Sequence, residues 1–325
     1  MNEFWLDRRV FVTGGSGLVG GWLLEELMNQ GAEVVVLLRD WVPDSRMLSN
    51  EKLKKAIVVR GDLADSRFLE RVLAEYQIQT VFHLAAQTIV PIANNNPLST
   101  FESNIAGTWN LLEACRHVKT VSAIVVASSD KAYGDVKELP YKETTSLDAI
   151  YPYDVSKACA DMLSTSYAKS FDLPVAITRC GNFFGGGDLN WNRIIPGTIR
   201  SVIRGKTPVI RSDGKLIRDY IYVEDAVSAY MSLAESLTST QELKGEAFNF
   251  SNEAPKTVLE LTEIILEKLG SNISPVVQGI NNGEIHSQFL DSTKARTVLG
   301  WSPKFGLNDG LTKTIKWYKT YLGEI

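Results

Sequence analysis

Histidine and cysteine are scarce in this chain, three of each among 325 residues, and that scarcity removes several chemistries. Cys115, Cys159 and Cys180 are far apart and odd in number, which argues against a disulfide framework and makes the cytoplasm the default compartment. His83, His117 and His286 lack the spacing of a zinc helix, and no Cys-x-x-Cys occurs. Neither a metal centre nor a serine–histidine triad is expected. Charge of one sign is also missing. The net charge is -4 with no basic run, so neither nucleic acid nor a membrane surface is expected as a partner. No apolar run nears the roughly 18 residues of a membrane span. Residues 1–7 carry acids where a secretory leader needs a basic flank and an apolar core, and read as mature sequence.

What is present is alternation. Short apolar runs at 10–12, 34–38, 56–59, 81–84, 123–127 and 175–178 read as buried strands, and longer helical patterns lie between them at 18–28, 65–76 and 100–116. This pattern predicts an α/β fold, a doubly wound parallel sheet of Rossmann type, with ligands outside the carboxyl ends of the strands. After Arg179 the pattern loosens. Four glycines among residues 181–188 predict turns rather than regular structure. A helix over 196–205 and a strand at 209–210 follow. Residues 221–223 and a helix over 224–234 read as a return to the sheet, and 259–269 and 309–321 as amphipathic helices. The expected division is a dinucleotide-binding domain over 1–180 with a return segment at about 218–250. A smaller C-terminal substrate-binding domain would comprise 181–217 and 251–325.

Gly14-Gly15-Ser16-Gly17-Leu18-Val19-Gly20 lies between the first strand and the first helix. Glycines at Gly14, Gly17 and Gly20 allow a tight turn, close approach of backbone to pyrophosphate, and helix–strand packing. Without that flanking context the motif is only a glycine-rich turn. Asp62 and Leu63 after the third strand are placed to meet adenine, and Ala85, Ala86 and Gln87 after the fourth to line the ribose side. Each also reads as ordinary strand-end sequence. The second strand ends Leu38-Arg39-Asp40. An acid there suits the ribose hydroxyls of NAD and a basic residue the 2′-phosphate of NADP, so both cofactors stay open.

Ser128-Ser129-Asp130-Lys131 closes the fifth strand, and Tyr153 precedes Lys157 by one helical turn, so the two share a face. A phenol near pKa ~10 is a poor base, but a lysine ammonium within about 4–6 Å and an oxidised nicotinamide both lower it. Tyr/Lys pairs at this spacing also occur on exposed helices. The hydroxyls delivered to the sheet edge by Ser128 and Ser129 favour chemistry: Ser129 holds a sugar hydroxyl while Tyr153 removes its proton.

These motifs resemble the extended short-chain dehydrogenases/reductases of the nucleotide-sugar epimerase/dehydratase group. The resemblance is carried further by Phe82-His83-Leu84-Ala85-Ala86-Gln87, Asn104-Ile105-Ala106-Gly107-Thr108 and Arg218-Asp219-Tyr220-Ile221-Tyr222-Val223-Glu224-Asp225. It implies NAD as cofactor, with Asn104, Tyr153 and Lys157 near it, a nucleotide-sugar substrate, and a homodimer through the helices at 100–116 and 153–169. Simple 4-epimerases of the group follow the serines with small or polar residues, whereas its 4,6-dehydratases have Asp-Glu or Asp-Lys. Asp130-Lys131 resembles the CDP-glucose 4,6-dehydratase branch. So do Gly181-Asn182, Gly185-Gly186-Gly187-Asp188, Arg193-Ile194-Ile195-Pro196, Glu284-Ile285-His286 and Leu299-Gly300-Trp301.

The implied reaction is oxidation at C4, loss of the C5 proton, departure of the C6 hydroxyl aided by Asp130, and hydride return to C6. Lys131 is then either the C5 base or a salt-bridge partner of Asp130. Arg193 and Arg218 are expected to clamp the diphosphate, because guanidinium meets phosphate bidentately, with Asn182 donating beside them. Arg211 is a third candidate or a surface residue. Glu284 and His286 line the nucleotide end or are structural. The alternatives are a nucleotide-sugar 4-epimerase, a 4,6-dehydratase acting on a GDP-, UDP- or dTDP-sugar, and a dinucleotide-binding regulatory protein without turnover.

Overall fold

The computed structural model describes residues 3–280 and 285–323. Six strands alternate with helices in the first half: β1 (Arg9–Thr13), β2 (Glu33–Leu38), β3 (Ile57–Arg60), β4 (Thr80–His83), β5 (Ala123–Ala127) and β6 (Val175–Cys180). They form a seven-stranded sheet in the order β3-β2-β1-β4-β5-β6, closed at the far edge by Ala247–Phe250. Every neighbouring pair is parallel. This is the expected doubly wound sheet. Its order reverses between β1 and β4, where a crevice opens at the carboxyl ends.

The pleat explains why these runs are apolar on both faces. Val10, Val12, Val34, Val36 and Leu38 point to one side, where they meet the helices Leu18–Asn29 and Val223–Ser239. Phe11, Val35, Leu37, Val59 and Val81 point to the other, against Ser66–Glu75, Gly107–His117 and Pro152–Phe171. The helix expected over 100–116 is broken into a short helix Pro97–Phe101, a π-type turn Glu102–Ala106, and Gly107–His117.

Two expectations need correction. Residues 181–188 are not all turn, because Asn182–Phe184 is a short strand paired in parallel with Tyr220–Tyr222. The flanking glycines permit this close approach. A Cβ on Gly181 would lie 2.9 Å from the Asp219 carbonyl oxygen, and one on Gly185 2.4 Å from a Val223 methyl. Residues 221–223 do not rejoin the main sheet. Tyr220 and Tyr222 are buried with Phe184, Ile195, Ile199, Leu261, Leu311, Ile315 and Tyr318 in a third apolar cluster. The strand that does rejoin is Ala247–Phe250, after the helix Val223–Ser239.

Around that third cluster lie Ile194–Ile203, Val258–Lys268 and Leu307–Leu322. A three-stranded ribbon sets Ile217–Arg218 between Lys256–Thr257 and Ser287–Gln288. Trp22 ties the first helix to this region by donating from its indole nitrogen to the Gly186 carbonyl at 2.8 Å. No helix among the described residues is long and apolar enough to cross a membrane.

The packing of the glycine loop generates a prediction. A Cβ on Gly20 would sit 2.1 Å from the Gly14 carbonyl oxygen. Gly20→Ala should therefore cost about 1–3 kcal/mol through overpacking, seen as a lower midpoint in thermal unfolding. An unchanged midpoint would contradict the close approach.

Candidate active site

A single cleft of about 1370 Å³ runs from the glycine loop across the carboxyl edge of the sheet to the smaller region. At its first end Gly14 has a φ of +77°, and a Cβ there would lie 2.7 Å from the backbone of Leu84 and Ala85. Side chains are thereby kept out of the turn. Gly17 starts the helix Leu18–Asn29 without a side-chain cap, which leaves the first N–H groups directed at the cleft. Gly14, Gly17, Leu18, Val19 and Gly20 all line it. A bare helix N-terminus behind a turn that tolerates no Cβ fits a dinucleotide's pyrophosphate.

The neighbouring strand ends complete this half. Asp62, Leu63, Ala85, Ala86 and Gln87 line the cleft, as do Arg39 and Asp40, which form an exposed ion pair at 2.7 Å. Asn104 is different. It is buried behind the wall, where it accepts from the Gln87 N–H at 2.7 Å and donates to Ser156 Oγ at 2.9 Å. It thus fixes the β4 exit loop to the helix that carries Tyr153 and Lys157. His83, also buried, bridges Thr13 and Thr108, and burial holds its imidazole down at about 3. It is neutral and structural.

The structure brings Ser129, Asp130, Lys131, Tyr153 and Lys157 together on the cleft wall. Lys157 reaches across from its helix to donate to the Ala127 carbonyl at 2.7 Å, and burial lowers its ammonium to about 8. Ser129 donates to Asp130 Oδ1 at 3.0 Å and shares a hydrogen bond with Tyr153. The phenol departs from the sequence expectation. Burial pushes it up and the Asp130 charge adds to that, while Ser129 and Arg193 draw it down.

Asp130 is nearly fully buried, at 4% exposure, and its Oδ2 has no hydrogen-bond partner among the described residues. Burial raises its carboxyl above the usual range, against the pull of Lys131. The salt bridge considered for Lys131 is not formed. Its ammonium donates instead to Gln288 Oε1 at 2.9 Å, and no ion pair joins it to Asp130 among the described residues.

The turn Asp130–Tyr133 is braced from behind by residues the sequence reading did not single out. Tyr133 donates to Asn249 Oδ1 at 2.7 Å and accepts from Arg179, whose guanidinium forks onto Asp161 at 2.7 and 2.9 Å. Asp154 was also missed. It lines the cleft beside Tyr153, and burial, resisted by Lys131, pushes it up to about 6. An acid in a helix's first turn reads as ordinary dipole chemistry; only its burial marks it.

At the far end Asn182, Arg193, Arg211 and Arg218 line the cleft. Arg193 is held by Asp188 at 3.0 Å and Arg211 donates to Asn192 at 2.7 Å. Arg218 is buried and donates to the carbonyls of Ile217 and His286. His286 does not line the cleft as expected. Its ring is exposed and bonds Ser287, while its backbone carbonyl serves the ribbon. Glu284 lies outside the described residues.

A family model for GDP-mannose 4,6 dehydratase matches residues 11–314. The chain belongs to that family. It falls among the extended short-chain dehydrogenases/reductases whose members are nucleotide-sugar dehydratases and epimerases. It is 32% identical to a CDP-glucose 4,6-dehydratase of Salmonella typhimurium, over 98% of this chain and 93% of that protein. Among solved structures it is similar to the UDP-glucose 4-epimerase of Thermotoga maritima with UDP-glucose, at a TM-score of 0.88 and 29% identity, covering 97% and 99% of the two chains. It is also similar to a dTDP-glucose 4,6-dehydratase of Streptomyces venezuelae with NAD bound, at 0.86 and 27%, covering 97% and 98%. Both reactions therefore occur among the dehydratase-family relatives.

Asp130, buried with only its Oδ2 unpartnered among the described residues, generates a prediction. A carboxyl that the fold holds above its unfolded value near ~3.9 keeps its proton more tightly when folded, so ionising it costs stability as pH rises. Asp130→Asn removes that cost. Its thermal midpoint should exceed the parent's at pH 8, with the difference vanishing towards pH 4. An equal midpoint at pH 8 would contradict the burial.

Proposed function

We propose that this chain is a nucleotide-sugar 4,6-dehydratase that converts CDP-glucose to CDP-4-keto-6-deoxyglucose. One observation carries the dehydratase reading. Asp130 presents a buried carboxyl, biased towards its protonated form and with one oxygen free of partners, on the cleft wall beside Ser129 and Tyr153. An epimerase has no use for an acid there, since it returns hydride to the carbon it came from. The choice of CDP-glucose is supported by the Asp-Lys pair and by the relative from Salmonella.

NAD, the cofactor of relatives solved with it bound, would supply the oxidising power at C4 and the reducing power at C6. Gly14, Gly17 and Gly20 would hold its pyrophosphate, Asp62 and Leu63 its adenine side, and Ala85, Ala86 and Gln87 its ribose side. The chain's own groups handle protons and position. Tyr153 takes the proton of the C4 hydroxyl, which Ser129 orients, and Lys157 contributes positive charge at the end of β5. With a ketone at C4, the C5 proton becomes acidic. Asp130 donates its proton to the C6 oxygen, so that water rather than hydroxide leaves. Arg193 and Arg218 clamp the diphosphate, with Asn182 donating beside them and Arg211 at the outer edge. A homodimer through Gly107–His117 and Pro152–Phe171 accords with the exposure of Trp109 at 45% and Met162 at 63%.

Incubated with a panel of nucleotide sugars, the protein should give an alkali-absorbing 4-keto product from CDP-glucose. Inert CDP-glucose alongside turnover of another nucleotide sugar would sink the CDP assignment. Tyr153→Phe should abolish cofactor reduction and product together. Asp130→Asn should slow product formation by about 10²–10⁴-fold while cofactor reduction persists, and equal loss of both would remove the acid role.

A further inference from the structure

Asp154 is a cleft carboxyl to which the roles above assign nothing. It follows Tyr153 in the first turn of Pro152–Phe171, is 4% exposed, and still lines the cleft. Among the described residues it joins no ion pair, whereas the buried Asp161 pairs with Arg179 at 2.7 Å and the buried Asp225 accepts from the Lys304 and Phe305 N–H groups. The groups facing it are Asp130 and Lys131 from the turn Asp130–Tyr133, Arg218 from the central strand of the ribbon, and Tyr153 on its own helix. Lys131 is engaged as a donor, its Nζ directed onto Gln288 Oε1 at 2.9 Å. Gln288 is fully buried on the strand next to Arg218, which fixes that direction.

A base for the C5 proton needs a lone pair, a place in the cleft, and reach to the region between the C4 hydroxyl held at Tyr153 and the C6 hydroxyl served by Asp130. Resting on the dehydratase reading, we propose that Asp154 is that base and that Lys131 is the cation beside it. The Asp154 carboxylate takes the C5 proton. The C5–H electron pair becomes the C5–C6 double bond, the C6–O bond breaks, and Asp130 gives the departing oxygen its proton as water. When hydride enters C6, the protonated Asp154 returns a proton to C5. The carboxylate comes from the helix adjoining the turn, and the turn contributes a positive charge that favours its ionised form. Burial raises the Asp154 carboxyl to about 6, with Lys131 and Arg218 pulling it down and Asp130, when ionised, pushing it up. That value leaves it ionised at neutral pH and more basic than an ordinary aspartate.

The test uses the full chain in deuterated water with the nucleotide sugar that the parent protein dehydrates. It follows cofactor reduction by its near-ultraviolet absorbance and deuterium at C5 by mass spectrometry. Asp154→Asn should reduce the cofactor, fail to place deuterium at C5, and lose product by about 10²-fold or more, with partial rescue by Asp154→Glu. Lys131→Met should keep measurable C5 exchange. In the parent protein, exchange should rise as pH passes about 6 and then level, a readout that does not depend on any variant folding. Parent-like C5 exchange in Asp154→Asn would overturn the proposal, as would a parent profile that stays flat through pH 6 and rises only in the alkaline range. A parent protein that dehydrates no nucleotide sugar would overturn the dehydratase reading itself.

Discussion

The hydrogen bond from Lys157 to the carbonyl of Ala127 holds the working parts in register. It joins the last residue of β5 to the helix Pro152–Phe171 at 2.7 Å, across the buried edge of the sheet. Ser129 and Asp130 continue from that strand, and Tyr153 sits one turn before Lys157 on that helix. A charge-assisted bond of this kind is worth about 1.5–3 kcal/mol, and losing it would leave the buried Lys157 ammonium without its acceptor. The strand end and the helix face therefore cannot shift independently, and the separation of hydroxyl, carboxyl and phenol follows from that.

Desolvation then decides the charges. In one small region burial lifts Asp130, Asp154 and the Tyr153 phenol and lowers Lys157. All four shifts disfavour charge, as a dry cleft demands. The fold permits it because a rigid shell stands behind: Arg179 forked on Asp161, Tyr133 against Asn249, Asn104 between Gln87 and Ser156. These partners satisfy the scaffold's own buried groups, while Asp130 Oδ2 on the cleft wall has no partner among the described residues. A cationic nicotinamide or a polar sugar would be bound by groups that gain more from it than from each other.

The parallel sheet was legible because its strands are buried on both faces and read as unbroken apolar runs, as at Val34-Val35-Val36-Leu37-Leu38. The glycine loop and the Tyr153/Lys157 pair were legible because local spacing alone sets their geometry. Asn182–Phe184 was hidden by glycines that read as turn formers but serve as close-contact points against Asp219 and Val223. The return strand Ala247–Phe250 was misplaced to Ile221, whose neighbours Tyr220 and Tyr222 are just as apolar but pack with Phe184. For His286 and Lys131 the identity of the residue was readable and its direction was not. The first keeps its exposed ring on Ser287 and gives its carbonyl to Arg218, and the second turns away from Asp130 to a glutamine more than 150 positions later.

Lys131 shows why a motif read along the chain is an incomplete description of a site. An Asp-Lys pair in sequence suggests that the two side chains work on each other, yet adjacent residues of a tight turn point in different directions. What each one meets is set by the elements the fold lays alongside: the ribbon strand Ser287–Gln288 for Lys131, and Ser129 with the open cleft for Asp130. The charge balance of the cleft is likewise a property of the assembled surface. The ammonium on the turn and the carboxylate on the neighbouring helix offset each other in the cleft. The charge at position 131 bears on the Asp154 carboxyl although 23 residues separate the two in sequence.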